Sequence, residues 1–429
     1  MEICVIGAGY VGLASAAVLA DFGHIVNCVD TNEEKIKQLK QGKVPIFEPG
    51  LSELISKNKS NLTFSSSISK HIKAASVIFI AVGTPSLPNG RTDLSYVFSV
   101  ADEIAGAIDS YKTIITKSTV PPGTNEKIYQ KLIDQGVIPE LFHVVSNPEF
   151  LREGTAISDM VQPDKIVVGK MEGDHQSLPI LKNIYRKINA PYIVTNLTGA
   201  EMIKYTSNAF LATKISFINE IARICEKYGV NIEDVKRGIG TDPRISPHYL
   251  SSGIGYGGSC FPKDVRSLEY SALDKDVTPL ILQAVQEVNK TQVDLYIEKL
   301  SGLFYDLHER NITVLGISFK PNTDDTRYSP AVSLIARLST LGCTVNAYDP
   351  QASLPFEVKD NVIQHADVDA AVFNADCVVI ATDWDQFKEL DWRNLKTLMK
   401  GDSILDARNC IDPQHIRQYG LRYIGVARP

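Results

Sequence analysis

The sequence predicts an α/β protein: two doubly wound parallel-sheet domains joined by a central all-helical segment that contains one long helix. Three observations predict it. Short apolar strands alternate with helical patterns over residues 1–198, the rhythm of a parallel sheet covered by helices. Over 199–309 helical spacing runs on without a strand. From 310 to 429 the opening rhythm returns.

In chain order, ICVI at 3–6 reads as a buried strand running into Gly7-Ala8-Gly9-Tyr10-Val11-Gly12, then an Ala/Leu-rich helix to Phe22. HIVNCVD forms a second strand ending at Asp30, and VIFIAV, TIITKST, HVVSNP and KIVVG follow as further strands. Beyond Gly199, AEMIKYTSNAFLATKISFINEIARICEKYG keeps apolar residues in helical register. That predicts one helix of roughly 45 Å at ~1.5 Å per residue. FPKDVRSLEYSALDK and PLILQAVQEVNKTQVDLYIEKLSGLFY predict two more helical stretches. Then ITVLGIS echoes ICVIGAG, TVNAYDP with its Asp349 echoes IVNCVDT, ADCVVIATDW echoes ASVIFIAVGTP, and DSILDARN echoes TIITKSTV. Matching order across four strands predicts a structural pseudo-repeat with a different first loop.

Composition bounds the function. The 429 residues suit about three domains at ~150 residues each. With 44% hydrophobic and 22% charged residues and a mean hydropathy of −0.05, the chain reads as a soluble globular protein. No apolar run approaches the ~18 residues of a membrane helix, and the strand at the start leaves no room for a signal peptide, so a cytoplasmic protein without membrane partners is expected. A net charge of −6 argues against broad nucleic-acid binding. Seven scattered cysteines without a Cys-x-x-Cys pair, and eight histidines without ligand spacing, predict neither disulfides nor a metal site.

The first glycine loop lies between a strand and a helix, the context that makes it a dinucleotide-binding turn. Gly7 permits the tight turn, Gly9 backbone approach to a pyrophosphate, and Gly12 close helix packing; the helix N-terminus offers N–H groups to phosphates. Asp30, at a strand end, suits a ribose 2′-OH and would repel a 2′-phosphate, which favours NAD over NADP. Val82-Gly83-Thr84-Pro85, Ser118-Thr119 with the Pro121-Pro122-Gly123 turn, and Asn147 to Gly154 fall at strand C-terminal ends, where ligands of open α/β sheets collect. Such Pro and Gly are more often plain turn formers, and Glu149 and Glu153 read as acid–base groups or, as is usual for such a run, a solvated acidic turn. Lys204 and Asn208 share one helical face; Glu201, three before Lys204, allows a surface ion pair instead. In Gly253-Ile254-Gly255-Tyr256-Gly257-Gly258-Ser259-Cys260-Phe261-Pro262-Lys263-Asp264, the glycines let the backbone bend around a ligand. Pro262 begins a helix. Cys260, just before that helix and beside Lys263, has the setting of an activated thiol, so it is the candidate nucleophile. Asp264 lies one turn on. Lys320, Arg327, Arg408 and Arg244 read as phosphate contacts or as solvent-facing charges.

These residues carry a resemblance. GAGYVGL, NPEFLREG, KYTSNAFLATKISFINE, GIGYGGSCFPKD and GISFKPNTDDTR resemble the UDP-glucose 6-dehydrogenases of the nucleotide-sugar 6-dehydrogenase superfamily, from Met1 into the C-terminal domain. Ser259 stands where UDP-N-acetylmannosamine dehydrogenases usually carry His. The resemblance implies two Rossmann-like domains, NAD on the first and UDP-glucose on the last. It implies four-electron oxidation at C6 to UDP-glucuronate with two NAD, through a thiohemiacetal and a thioester on Cys260. Lys204 and Asn208 would steady the oxyanion, and Asp264, with Thr119 and Glu149, the hydrolytic water. NAD would meet Gly7, Gly9, Tyr10, Val11, Gly12, Asp30, Lys35, Thr84, Thr119, Glu153, Lys263 and Arg327. The UDP-sugar would meet Glu149, Phe150, Leu151, Arg152, Glu153, Lys204, Asn208, Tyr249, Leu250, Ser251, Ser252, Gly253, Gly257, Lys320 and Arg408. Arg244 would come from the neighbouring subunit of a homodimer built around the long helix. The sequence departs from its relatives at Ser251, where a longer Asn or Lys is common. The alternatives are a GDP-mannose 6-dehydrogenase, a two-electron hydroxyacid dehydrogenase with no role for Cys260, and a non-catalytic nucleotide-sugar sensor.

Overall fold

The computed structural model describes residues 1–358 and 362–429. They form two compact units, one of Met1–Ser207 with Arg266–Val277, the other of Asn208–Val265 with Thr278–Pro429.

The first unit holds an eight-stranded sheet: β1 (Glu2–Ile6), β2 (Ile25–Val29), β3 (Leu62–Ser65), β4 (Val77–Ile80), β5 (Lys112–Thr116), β6 (Phe142–Ser146), β7 (Ile166–Lys170) and β8 (Tyr192–Thr195). Their order is β3-β2-β1-β4-β5-β6-β7-β8. Alternate residues of β1 serve opposite faces: Ile3 and Val5 pack in one apolar cluster, Cys4 and Ile6 in the other. Burial on both sides is why ICVI reads as an unbroken apolar run. Strand order reverses between β1 and β4, which opens a crevice at their C-terminal ends. Among the strand pairs of the described residues only β6–β7 is antiparallel. The chain therefore stays at the C-terminal edge of the sheet from Asn147 until β7 begins, and NPEFLREG lies on the same edge as the glycine loop.

The second unit holds β9 (Asn311–Leu315), β10 (Thr344–Tyr348), β11 (Val362–Gln364), β12 (Cys377–Ile380), β13 (Ser403–Asp406) and β14 (Arg422–Ile424), all parallel, in the order β11-β10-β9-β12-β13-β14. That repeats the order of the first six strands of the other sheet. The correspondence reaches single hydrogen bonds. Gly7 and Gly316 both have positive φ (+109° and +103°). Their amides donate to the last residue of the neighbouring strand, Val29 at 2.7 Å and Tyr348 at 2.8 Å. Asp30 and Asp349 then each accept the next amide, from Ala8 at 2.8 Å and Ile317 at 2.7 Å.

What differs is the rest of the loop. Ser318 stands where the first loop has Gly9 and donates its hydroxyl to Asp349 at 2.9 Å. Pro321 stands where it has Gly12, and the next helix, Pro330–Thr340, starts only after a long loop. Asp349 also accepts from Ser318 N (3.0 Å), Gln351 N (2.9 Å) and Ala352 N (2.8 Å), so its carboxylate is occupied by the protein.

The long helix runs Leu197–Tyr228, 32 residues. The stretch expected as one helix from Pro279 divides into Leu280–Lys290 and Gln292–Leu303. Arg223 of the long helix donates to the carbonyl of Val288 (3.2 Å) and the hydroxyl of Thr291 (3.0 Å), taking up groups left at the break. Four strands carried no sequence signal: β3, β8, β11 and β14. They are the end strands of the two sheets, with neighbours on one side only.

Asp349→Ala removes the acceptor of the Ile317, Ser318, Gln351 and Ala352 amides. It lowers stability by ~2–4 kcal/mol, read as a lower urea midpoint at unchanged m-value.

Candidate active site

At the C-terminal edge of the first sheet the chain forms a cradle. A Cβ on Gly7 would lie 2.4 Å from the carbonyl oxygen of Ala81, and one on Gly12 would lie 1.8 Å from that of Gly7; both positions admit only glycine. Beside Gly9 there is open space within 4 Å, as close approach by a phosphate requires. The helix Tyr10–Asp21 starts there without a side-chain cap on its amides. Asp30 is held by the amides of Ala8 and Asn32 (2.9 Å) and the ammonium of Lys35 (3.1 Å). Partial burial works against its charge, but these donors outweigh it and hold the carboxyl below the usual range. A standing carboxylate at that strand end suits the 2′-OH of a ribose, so these residues fit NAD. Thr84 and Thr119, from the loops after β4 and β5, join through a 2.9 Å hydrogen bond from the Thr84 hydroxyl to the Thr119 carbonyl.

Next along the edge, Glu149 and Lys204 form an ion pair at 2.9 Å, with side chains 4% and 3% exposed. The other oxygen of Glu149 accepts the Leu151 amide at 2.6 Å, and the Lys204 ammonium lies 5.3 Å from the Phe150 ring centre. Glu201 does not pair with Lys204 at a surface. Buried, it accepts from Asn125 N (2.8 Å), Asn125 Nδ2 (2.7 Å) and Gly123 N, standing in as cap for the helix Thr124–Asp134. Burial pushes its carboxyl up to about 7 against those donors. Glu48 reaches from distant sequence to accept the amides of Gly154 (2.6 Å) and Ala156 (2.8 Å), pinning the end of the Glu149–Glu153 loop. Sequence reasoning missed Glu48 and Glu201 as supports. Their signal is weak: each is a single carboxylate in a helix or turn that reads as surface.

In the second unit, Cys260 immediately precedes the helix Phe261–Leu273, which begins at Phe261 with Pro262 second. The Cys260 sulfur lies 3.6 Å from the Ser259 hydroxyl. Asp264 is buried, with one oxygen on Asn208 Nδ2 (2.6 Å) and the other on Lys263 Nζ (2.5 Å). The glycines before Cys260 are required by the protein's own packing. A Cβ on Gly257 would lie 2.3 Å from the Tyr328 carbonyl oxygen, and one on Gly258 would lie 2.6 Å from the Phe319 ring. They admit the protein's own loop after β9, and the Gly258 amide donates to the Arg327 carbonyl at 2.9 Å. Arg408 donates to the carbonyls of Ala381 (2.8 Å), Gly255 (3.0 Å) and Phe319 (2.8 Å), joining the same two loops.

The expected substrate segment 249–253 is pinned as well. The Gly253 amide donates to Asn219 (2.8 Å), its carbonyl accepts from Gln292 (2.6 Å), and Ser252 accepts from Asn409 (2.9 Å). Leu250 is buried, Ser251 exposed, and Tyr249 sits at φ +63°, a strained value for a large side chain. Three expected contacts point to local partners: Arg152 to Asp159 (2.6 Å), Arg327 to Asp325 (2.7 Å) and Arg244 to Asp242 (2.6 Å). Lys320 lies beside the Phe319 ring at 5.6 Å. The candidate residues thus form two sets: Gly7–Gly12, Asp30, Lys35, Thr84, Thr119, Glu149–Glu153 and Lys204 in the first unit; Asn208, Arg244, Tyr249–Gly253, Gly257, Cys260, Lys263, Asp264, Lys320, Arg327 and Arg408 in the second. Among the described residues no helix is long and apolar enough to cross a membrane.

The sequence matches the NAD binding domain of the UDP-glucose/GDP-mannose dehydrogenase family over residues 1–189, its central domain over 198–291 and its UDP binding domain over 313–413. YtcA of Bacillus subtilis (strain 168) is 52% identical over 429 residues, with 100% of both chains covered. The UDP-glucose 6-dehydrogenase of Rhizobium meliloti (strain 1021) is 42% identical over 440 residues, again with 100% of both covered. The solved UDP-glucose dehydrogenase of Pyrobaculum islandicum superposes with a TM-score of 0.91 at 36% identity, covering 100% of this chain and 98% of that one.

Gly257→Ala forces the Tyr328 backbone or the cysteine loop to move. It costs ~1–3 kcal/mol of stability and, because a shift of ~1 Å at a reacting group is worth ~100-fold, lowers kcat by at least ~10-fold; melting curves and turnover check both.

Proposed function

Because the chain belongs to the UDP-glucose/GDP-mannose dehydrogenase family, whose NAD-binding, central and UDP-binding domains it carries in order, we propose that it oxidises UDP-glucose at C6 to UDP-glucuronate in two NAD-dependent steps. The observation that carries the reading is a cysteine at a helix start, on a loop fixed by neighbouring backbone, with its carbonyl accepting the amide of Asp264 (2.9 Å), whose carboxylate is held by Asn208 and Lys263. A two-electron dehydrogenase has no use for such a thiol. The three-part division 1–198, 199–309 and 310–429 and a cytoplasmic setting belong to the same proposal.

NAD, when bound, accepts the hydride that leaves C6 in each oxidation, and the hydroxyl proton lost in the first passes to water. The Glu149–Glu153 loop and Lys204 orient the sugar. Cys260 as thiolate adds to the aldehyde carbon, forming a C–S bond and an oxyanion, which Lys204 stabilises by charge and Asn208 by an N–H donor. Loss of the second hydride leaves a thioester on Cys260. Asp264 takes a proton from water, with Thr119 and Glu149 ordering that water. Hydroxide then replaces sulfur at the carbonyl, so the C–S bond breaks and the thiolate returns. Covalent capture keeps the aldehyde on the protein between the oxidations.

We also propose a homodimer. Phe210, Phe217 and Ile224 repeat every seven residues along the long helix and are 64%, 52% and 48% exposed, a stripe suited to a second copy. Arg244, exposed and paired only locally, is placed on this reading in the partner's substrate site.

The wild-type protein yields two NADH per UDP-glucose and none with GDP-mannose; a ratio of one, or preference for GDP-mannose, rejects the assignment. Cys260→Ser lowers steady-state turnover on the order of a thousandfold or more. Asp30→Ala raises the KM for NAD about tenfold with little change in that for the sugar, the loss of one hydrogen bond worth ~1.4 kcal/mol. Phe217→Asp shifts the sedimentation coefficient to that of a monomer.

A further inference from the structure

Besides Lys204, the first unit buries a second cation that the mechanism above does not use. Lys117 follows β5 directly and is 7% exposed. Its ammonium donates to Asn147 Oδ1 at 3.1 Å and lies 5.7 Å from the centre of the Tyr185 ring. Among the described residues it pairs with no carboxylate. Both ends of the Asn147 side chain are engaged: Oδ1 also accepts the Tyr185 hydroxyl at 2.6 Å, and Nδ2 donates to the Val167 carbonyl at 2.7 Å. Its backbone amide extends the β5–β6 pairing to Thr116 at 3.0 Å. The Lys117–Asn147–Tyr185 cluster therefore clamps the chain two residues before Glu149. The charged groups acting on Lys117 are Glu149, from the loop after β6, and Lys204, from the long helix; Tyr185, after the helix Ser177–Ile184, presents a neutral hydroxyl and ring.

A lone buried ammonium is costly, and a methionine would fill the same space at less cost. The chemistry above supplies a reason for it, and the inference rests on that reading. Once Lys204 turns its charge toward a developing substrate oxyanion, Glu149, 4% exposed on its side chain, shares its counter-ion with the substrate. We propose that Lys117 is a positioning residue whose ammonium is the standing counter-charge of Glu149, holding that carboxylate and its loop in place while Lys204 serves the substrate oxygen. Lys117 touches neither substrate nor cofactor; it acts through Asn147 and through its charge.

Burial pushes the Lys117 ammonium down to about 8, with Glu149 acting upward and Lys204 downward. The sign follows: the counter-charge is present below pH 8 and lost as the pH rises through it. The wild-type kcat profile, followed as NADH formation with whichever nucleotide sugar the protein oxidises, falls on the alkaline side with a midpoint near 8. Lys117→Met lowers kcat at pH 7 by ~10-fold or more and removes that limb, leaving a flat profile from pH 7 to 9 with the KM for NAD unchanged. Asn147→Asp places a carboxylate on the ammonium and moves the midpoint up by about one unit or more, so it carries the test if Lys117→Met fails to fold. A Lys117→Met protein that keeps the wild-type limb, or runs parallel to wild type at every pH, overturns the proposal, as does an Asn147→Asp protein with an unmoved midpoint. The NADH yield per sugar is a separate reading: one NADH per sugar with the limb behaving as stated would reject the four-electron function and leave Lys117 in its role.

Discussion

A thiol attacks a particular carbon only if the backbone carrying it is fixed, and here that fixing is done by close backbone packing. The strap from Gly253 to Gly258 lies against the loop after β9 so tightly that a single methyl at Gly257 or Gly258 would overlap it. Arg408 spends its guanidinium on three main-chain carbonyls to join that strap to the same loop and to the loop after β12. Cys260 is the next-but-one residue after the strap. The proposed nucleophile is thus built onto the same unit as the loops proposed to hold the nucleotide. On that proposal, register between nucleotide and sulfur would come from packing within one unit, not from a flexible side chain.

The first unit solves a different problem, that of keeping charge in a dry place. Lys204, Glu149, Glu201, Glu48 and Lys117 are all buried or nearly so, and each has its donors or acceptors supplied by specific backbone or side-chain groups. Glu201 and Glu48 end on main-chain amides, which converts two isolated carboxylates into fasteners for the segments after β5 and β6. Ion pairs of this kind contribute little net stability once desolvation is counted, so their worth lies in geometry.

Much of this was legible in the sequence because the physics is local. The strand–glycine loop–helix context and Asp30 announce the dinucleotide cradle. The central strands announce themselves because burial on two faces demands continuous apolar runs, and the long helix because its spacing persists. Edge strands such as β8 lack that demand and were silent. The antiparallel turn into β7 could not be read from composition, although it is what keeps NPEFLREG on the functional edge. The glycines before Cys260 were legible as necessary, but only the fold brings Tyr328 and Phe319, far downstream in the chain, against them. Asp349 looks like Asp30 in sequence, and only the fold shows that its acceptors are taken by the protein's own amides.

The central claim, that carbon six is held on Cys260 between two oxidations, is tested most directly by intact-protein and peptide mass spectrometry of an acid-quenched single turnover. The expected result is a transient mass increase equal to a UDP-glucuronyl group, confined to the peptide containing Cys260 and discharged by hydroxylamine as a thioester is. Full conversion of the sugar with that peptide unmodified at every quench time would contradict it.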